Sequence, residues 1–285
     1  MKKILILGAT GMLGHAVADL FRAKTDFQLT QSSRINLPGY VNFDAESDNV
    51  SDLLSVIKPD WVINCIGVIK PHINEQSSDS ITRALRINAI FPQLLSTATN
   101  NPIIQIATDC VFSGEKGSYI ESDPHDATDV YGKTKSLGEV PSENMKHLRV
   151  SIIGPEKGRT TSLLEWFRNQ PKNSELNGFI DHLWNGVSTY HFGRIVLGLI
   201  ENEFTDFTKT HIIPADVVTK AELLNIFSSA YNRSDLTVVQ TNSFKTINRT
   251  LHTSNSELNY KIWKMAGYET LPTIEEMVIE QAQKI

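Results

Sequence analysis

Three glycines near the start of the chain, Gly8, Gly11 and Gly14, constrain its fold more than any other feature. They directly follow an apolar run over residues 3–7 and open a stretch that predicts a helix. In such a strand–turn–helix context, glycines allow a tight turn, close approach of the backbone to a pyrophosphate, and close packing of helix on strand. The first N–H groups of the helix have no partners within it, which favours an anion there. The sequence therefore predicts a dinucleotide-binding loop rather than a glycine-rich turn that binds nothing.

The first half of the chain alternates between apolar runs and helical patterns. Predicted strands cover residues 3–7, 27–30, 41–43, 61–66, 103–107 and 148–152, and predicted helices cover residues 12–23, 50–57, 79–99 and 130–141. Strands that are apolar throughout and alternate with helices indicate a parallel sheet covered on both faces. The predicted fold class is therefore α/β, with a Rossmann-type doubly wound parallel sheet over residues 1–155.

The alternation of apolar runs and helical patterns ends at about residue 154. Helical patterns remain at residues 162–169, 190–200 and 273–283, with short extended pieces at 211–213 and 237–239. We expect residues 156–285 to form a smaller C-terminal substrate-binding lobe, partly interleaved with the sheet of the first domain.

Composition argues against several classes of protein. The net charge of −5 is spread over the chain without a basic stripe, so we expect no nucleic-acid partner. No apolar run is long enough to cross a bilayer, so we expect no membrane insertion. The two cysteines, Cys65 and Cys110, end apolar runs, where a reduced thiol packs as a small hydrophobe. A cytoplasmic protein without disulfides is the simplest interpretation.

The end of the second predicted strand indicates which dinucleotide binds. It carries Ser33 and Arg34 and no acid, whereas an NAD site usually places a carboxylate there for the ribose 2′-hydroxyl. A guanidinium pairs well with a phosphate, so we predict NADP(H), with NAD(H) and a solvated Arg34 as the alternatives. Asp44 and Ala45, just past the third strand, are expected near the adenine. The end of the fourth strand is expected to lie along the cofactor through Cys65, Ile66 and Gly67.

A threonine, a tyrosine and a lysine predict the chemistry. Thr108 ends the fifth strand, where ligands bind in open α/β sheets, and Tyr131 and Lys135 share one face of the following helix. An ammonium beside a phenol favours the phenolate, and a hydroxyl can hold a substrate oxygen next to it. An ordinary helix-face pair is the alternative. Tyr260 and Lys264 repeat the spacing without an upstream strand end, which predicts a structural helix there.

Four segments resemble the extended short-chain dehydrogenase/reductases, and within them the dTDP-4-dehydrorhamnose reductase branch. They read "GATGMLG", "ATDCVFSGEKGSYIESD", "VYGKTKSLGE" and "NGVSTYHFGRIV". The chain departs from the branch at Cys110, where an aromatic residue is usual, and at Ser188, where a proline is usual. These departures and the segment after Ile152 leave the identity of the sugar open.

The resemblance implies NADPH-dependent reduction of a keto group, at C4, on a nucleotide-linked deoxysugar in polysaccharide precursor synthesis. It implies a catalytic Thr108, Tyr131 and Lys135, no metal, and a homodimer as in many relatives. The residues implied at the pyrophosphate are Gly8, Thr10, Gly11, Met12, Leu13 and Gly14. Those implied at the sugar are Val68, Asp109, Val111 and Phe112, with Glu156 and Trp184 as helpers and Asn88 bracing a water or a backbone group.

Two alternative functions share these motifs. A nucleotide-sugar 4-epimerase or 4,6-dehydratase uses the same three residues, but a dehydratase usually carries an Asp-Glu pair after the threonine. Here Asp109 is followed by Cys110. The other alternative is a non-catalytic NADP-binding regulatory subunit that resembles the one of methionine adenosyltransferase.

Overall fold

The computed structural model describes residues 1–24, 26–158 and 160–284. The strands are β1 (Lys2–Leu7), β2 (Phe27–Ser33), β3 (Val41–Asn42), β4 (Trp61–Asn64), β5 (Ile103–Thr108), β6 (Met145–Val150), β7 (Ile152–Ile153), β8 (Glu175–Phe179), β9 (His182–Trp184), β10 (Val187–Ser188), β11 (Lys209–His211), β12 (Val218–Thr219), β13 (Thr237–Thr241) and β14 (Ile247–Asn248). The α-helices are α1 (Met12–Arg22), α2 (Val50–Ile57), α3 (Ser78–Leu85), α4 (Phe91–Thr97), α5 (Val130–Leu137), α6 (Leu163–Arg168), α7 (Thr189–Glu201), α8 (Lys220–Ala230), α9 (Ser256–Met265) and α10 (Ile274–Ala282).

A seven-stranded parallel sheet forms the centre of the molecule, in the order β11-β6-β5-β4-β1-β2-β3. Its order reverses beside β1, as in a doubly wound fold, so the predicted fold class is confirmed. The inner strands are buried on both faces because helices cover both. One apolar cluster lies between the sheet and α1, α7 and the C-terminal helices, and a second lies beneath α2 and α4.

Several predicted boundaries differ from the structure. The predicted helix over residues 79–99 is α3 and α4 joined by a π-helical segment, Arg86–Ile90. The helix predicted to end at residue 141 ends at Leu137, and β6 begins three residues before its predicted start. Pro141 cannot donate the amide hydrogen bond that would extend the helix, and Gly138 caps it.

The C-terminal half forms two small sheets of its own, β12-β9-β14 and β13-β8, and its strand β10 pairs with β7 in a third. It also supplies β11, the edge strand that pairs with β6 in the main sheet. Helix α8 was not predicted, although Thr219 and Glu222 form a capping box at its start. Among the described residues, no helix is long and apolar enough to cross a membrane.

Candidate active site

Two adjoining cavities open at the carboxyl ends of the central strands. The inner cavity, of about 350 Å³, is lined by Thr108, Tyr131 and Lys135. The outer cavity, of about 460 Å³, reaches Arg34. Both are lined by Gly11 and by the segment that follows β4, so they form one continuous cleft.

The glycine loop forms the floor where the two cavities meet. Gly8 has a φ of +73°, which favours glycine, and its N–H donates to Ser32 Oγ at 3.1 Å. A Cβ atom on Gly14 would lie 2.1 Å from the Gly8 carbonyl oxygen, so only glycine lets α1 pack this closely on the turn. Gly11 caps α1 without a side-chain hydrogen bond, which leaves the first N–H groups of the helix facing the cleft.

The outer cavity collects the residues predicted for the adenosine end. Gly8, Thr10, Asp44 and Ala45 line it together with the exposed side chain of Arg34. Ser33 does not, because its hydroxyl turns inward and accepts from the Ile35 N–H at 3.3 Å. The outer cavity is also lined by residues that the sequence analysis did not predict: Ser32, Phe43, His72, Arg83 and Ile87.

The inner cavity brings together the three predicted catalytic residues. Asp129 caps α5 by accepting from the Gly132 N–H at 2.7 Å, which places Tyr131 in the first turn of the helix. Lys135, one turn later, donates from Nζ to the Ile106 carbonyl at 3.1 Å. On the facing strand, the Thr108 hydroxyl donates to Asp109 at 3.2 Å and accepts from the Cys110 N–H.

Burial dominates the electrostatics of this cavity. It raises the pKa of Tyr131, and the Thr108 hydroxyl lowers that pKa by a hydrogen bond without reversing the shift. It lowers the pKa of Lys135 to about 8, although Glu139 acts in the opposite direction. The sequence analysis expected the ammonium to lower the pKa of the phenol. That expectation is wrong for the net shift. Burial raises the pKa of Tyr131 most, and the neighbouring Cys110, Asp109 and Asp129 act in the same direction.

Burial also raises the pKa of Asp109, against the attraction of Arg249 and Lys220. The pKa values of Cys65 and Cys110 rise to about 12 for the same reason, so both thiols stay protonated and unreactive at neutral pH.

Most of the remaining predicted residues line the inner cavity, but Gly14, Asn88, Trp184, Val111 and Phe112 line neither cavity. Gly14 packs α1 against the Gly8 backbone and does not line the predicted pyrophosphate site. Those on the walls are Gly11, Met12, Leu13, Cys65, Ile66, Gly67, Val68, Asp109 and Glu156. Asn88 brackets the backbone of Val68, accepting from its N–H at 2.8 Å and donating to its carbonyl at 2.9 Å. Trp184 is buried and donates to Ser151 Oγ, a wall residue, at 2.8 Å.

Val111 and Phe112 do not face the cavity, contrary to prediction. A 3₁₀ turn, Asp109–Val111, follows β5 and carries both side chains into a small core. There the Phe112 ring stacks on Tyr119 with 4.1 Å between centroids. The sequence analysis missed wall residues after β4, at and just after the ends of β5 and β6, in β7 and at the start of α6: Ile69, His72, Ile106, Ala107, Cys110, Val150, Ser151, Ile152, Ile153, Ser162 and Leu163.

The second tyrosine–lysine pair lies away from the cleft, as predicted. Tyr260 and Lys264 lie on α9 and are 43% and 58% exposed, while Trp263 between them is fully buried. Within residues 1–24, 26–158 and 160–284, no cluster of histidine, cysteine and acidic side chains is suited to hold a metal ion.

Comparisons with known proteins agree with this fold. A family model described as the RmlD substrate binding domain matches residues 1–285. A solved dTDP-4-dehydrorhamnose reductase from Bacillus anthracis str. Ames, in complex with NADP, superposes with a TM-score of 0.81 at 18% identity over 100% of both chains.

Two curated relatives match in sequence. Methionine adenosyltransferase 2 subunit beta of Danio rerio is 25% identical over 246 residues, which are 81% of this chain and 74% of that protein. Spore coat polysaccharide biosynthesis protein SpsK of Bacillus subtilis (strain 168) is 34% identical over 142 residues, about half of each chain (49% and 47%).

Proposed function

Because the chain belongs to the RmlD substrate binding domain family, we propose that it uses NADPH to reduce a keto group, at C4, of a nucleotide-linked deoxysugar. The observation that supports this most strongly is the convergence of Thr108, Tyr131 and Lys135 on one cavity that continues over the glycine loop. Residues 1–155 would bind the cofactor, and residues 156–285 would supply part of the sugar site. Fold alone would not support a reaction, but this arrangement of side chains does.

NADP(H) fits the cleft better than NAD(H). Arg34 is an exposed cation of the outer cavity just after β2, where it could pair with a 2′-phosphate. Arg83 also lines this cavity, but its guanidinium is paired with Glu46 at 3.2 Å. The pyrophosphate would be held by the N–H groups at the start of α1, next to Gly11. The B. anthracis relative, solved with NADP, shares this fold.

The bound cofactor would supply a hydride to the carbonyl carbon, and the chain's own residues would orient, stabilise and protonate the carbonyl oxygen. Tyr131 keeps its proton at neutral pH because burial raises its pKa, and a neutral phenol is the form that can protonate the developing oxyanion. Thr108, at the end of β5 in the wall of the same cavity, would orient the substrate oxygen beside the phenol. Lys135 keeps a positive charge beside the reacting atoms below its pKa of about 8.

Replacement of Tyr131 by phenylalanine tests the proposal. With a keto sugar nucleotide and NADPH, kcat should fall by about a hundredfold or more, while the Kd for NADPH changes less than about twofold. Tyr260→Phe is the matched control, because it removes the same atom from the same spacing on α9, where the hydroxyl donates only to the Glu269 carbonyl. NADPH absorbance would report stoichiometric consumption, which an epimerase or dehydratase would not produce. Unchanged turnover in Tyr131→Phe would refute the assignment.

A regulatory subunit is the second candidate, favoured by the match to the D. rerio protein over 81% of this chain. In that case the cleft would bind NADP without turnover. Affinity purification would then recover a second protein in stoichiometric amount, and no sugar nucleotide from a dTDP-, UDP- and GDP-sugar panel would consume NADPH.

We further propose that the protein forms a homodimer and acts in the cytoplasm in polysaccharide precursor synthesis. Ile90, Leu94 and Leu137 are each at least half exposed on neighbouring helical segments, α4 and α5 with the π turn, where a second copy could cover them. The named role of the B. subtilis relative supports the pathway. Light scattering should give twice the mass of the 31.9 kDa chain.

A further inference from the structure

A buried arginine lies behind the proposed catalytic residues. Arg149 is the penultimate residue of β6, its side chain is fully buried, and β6 pairs with β5, the strand that ends at Thr108. A buried guanidinium without partners would strongly destabilise the fold, so its contacts indicate what it does.

The guanidinium joins two elements of the site. Nη1 donates to the Thr108 carbonyl at 2.9 Å, and Nη2 donates to Glu139 Oε2 at 2.7 Å. Nη2 also lies 3.0 Å from His125 Nε2, and the other ring nitrogen of His125 lies 2.7 Å from Ser136 Oγ on α5. Glu139 follows Gly138, the C-cap of α5. Arg149 therefore connects the end of β5 with the C-terminal part of α5, once through a carboxylate and once through an imidazole.

This connection matters because the three proposed catalytic groups come from different elements. Thr108 lies on β5, whereas Tyr131 and Lys135 lie on α5. The hydrogen bond from Lys135 to the Ile106 carbonyl is a further polar link between these elements near the cavity. A displacement of about 1 Å between reacting groups can reduce turnover about a hundredfold.

We propose that Arg149 is a positioning residue that holds the Thr108 end of β5 against α5 and thereby sets the geometry between Thr108 and Tyr131. Phe112 supports it, because the guanidinium lies 5.0 Å from the centre of its ring. The effect on turnover rests on the proposed reductase function, whereas the effect on local structure does not.

Arg149→Lys tests the proposal, because a lysine keeps the charge beside Glu139 but cannot donate to three partners in a fixed planar arrangement. Arg233→Lys is the matched control. Arg233 also donates to a backbone carbonyl, that of Gln170 at 2.8 Å, and to the carboxylate of Asp235, but it lies in the C-terminal half. Arg149→Met combined with Glu139→Gln removes both buried charges and serves if the lysine variant does not fold.

Hydrogen exchange and kinetics are measured on Arg149→Lys and on its control, Arg233→Lys. In Arg149→Lys we expect amide exchange to rise about tenfold in residues 105–112 and 130–139 and to stay unchanged in the C-terminal helices. We expect kcat to fall about tenfold to a hundredfold, with the Kd for NADPH within about twofold. In Arg233→Lys, kcat and exchange in both segments should stay as in the wild type.

If amide exchange in residues 105–112 and 130–139 of Arg149→Lys is as slow as in the wild type, the proposal is overturned, whatever the activity of the variant. A loss of turnover matched by an equal loss of NADPH affinity and by faster exchange throughout the chain would also overturn it. Faster exchange confined to the two segments, in a protein whose wild type reduces no sugar nucleotide, would support the positioning role and refute the reductase function.

Discussion

Replacement of Lys135 by methionine should make the protein more stable at pH 7 while it impairs the proposed reaction. Burial lowers the pKa of Lys135 from 10.5 to about 8. Each tenfold change in proton affinity corresponds to about 1.4 kcal/mol, so keeping this ammonium charged in the folded protein costs about 3 kcal/mol. Methionine removes that cost but also the hydrogen bond to the Ile106 carbonyl, worth about 1 kcal/mol. The net gain is about 2 kcal/mol, or roughly 4 °C in Tm.

The gain should depend on pH in a defined direction. Between the folded-state pKa of about 8 and the unfolded-state value of 10.5, the unfolded chain binds more protons, so wild-type stability rises with pH. The advantage of Lys135→Met is therefore full below about pH 8 and fades toward pH 10.5. Urea denaturation of the cofactor-free protein at pH 7 and pH 10 measures both effects.

Lys264→Met is the control, because Lys264 has the same spacing from a tyrosine but an exposed side chain. Its stability should match that of the wild type within about 0.5 kcal/mol at both pH values. A Lys135→Met protein no more stable than the wild type at pH 7, or a difference that does not change with pH, would refute the argument.

Two further substitutions test the cleft. Arg34→Gln should raise the Kd for NADPH about tenfold to a hundredfold and leave the Kd for NADH unchanged. Arg22→Gln, at an exposed arginine, is the charge-matched control. Equal losses of affinity for both cofactors would contradict a contact between Arg34 and the 2′-phosphate. Gly14→Ala should lower the free energy of unfolding by about 1–3 kcal/mol, because its Cβ would lie 2.1 Å from the Gly8 carbonyl oxygen. An unchanged urea midpoint would show that α1 shifts without cost.

Local sequence patterns were sufficient for the central part of the fold. The strand Lys2–Leu7 and its glycine turn are predictable because the burial of a parallel strand and the steric demand of the turn both act within a dozen residues. The same holds for the α5 helix, whose cap and face depend only on residues 129–135.

Contacts between distant residues were not predictable in this way. Strand β11 pairs with β6 across some 60 residues, and its three residues are too few to show a periodicity. The direction of the Phe112 side chain depends on a single 3₁₀ turn. The sequence of the β6 strand gives no sign that Arg149 differs from an ordinary exposed charge. Only the tertiary structure shows that its guanidinium is buried. The capping box of α8 was a signal within reach of sequence analysis.

The edge strand β11 also sets the order in which the protein can complete its fold during synthesis. The N-terminal 155 residues contain six of the seven sheet strands, but β6 keeps an unpaired edge until residues 209–211 have left the ribosome. Until then, the nascent chain exposes backbone groups of β6 that can pair with a strand of a neighbouring chain.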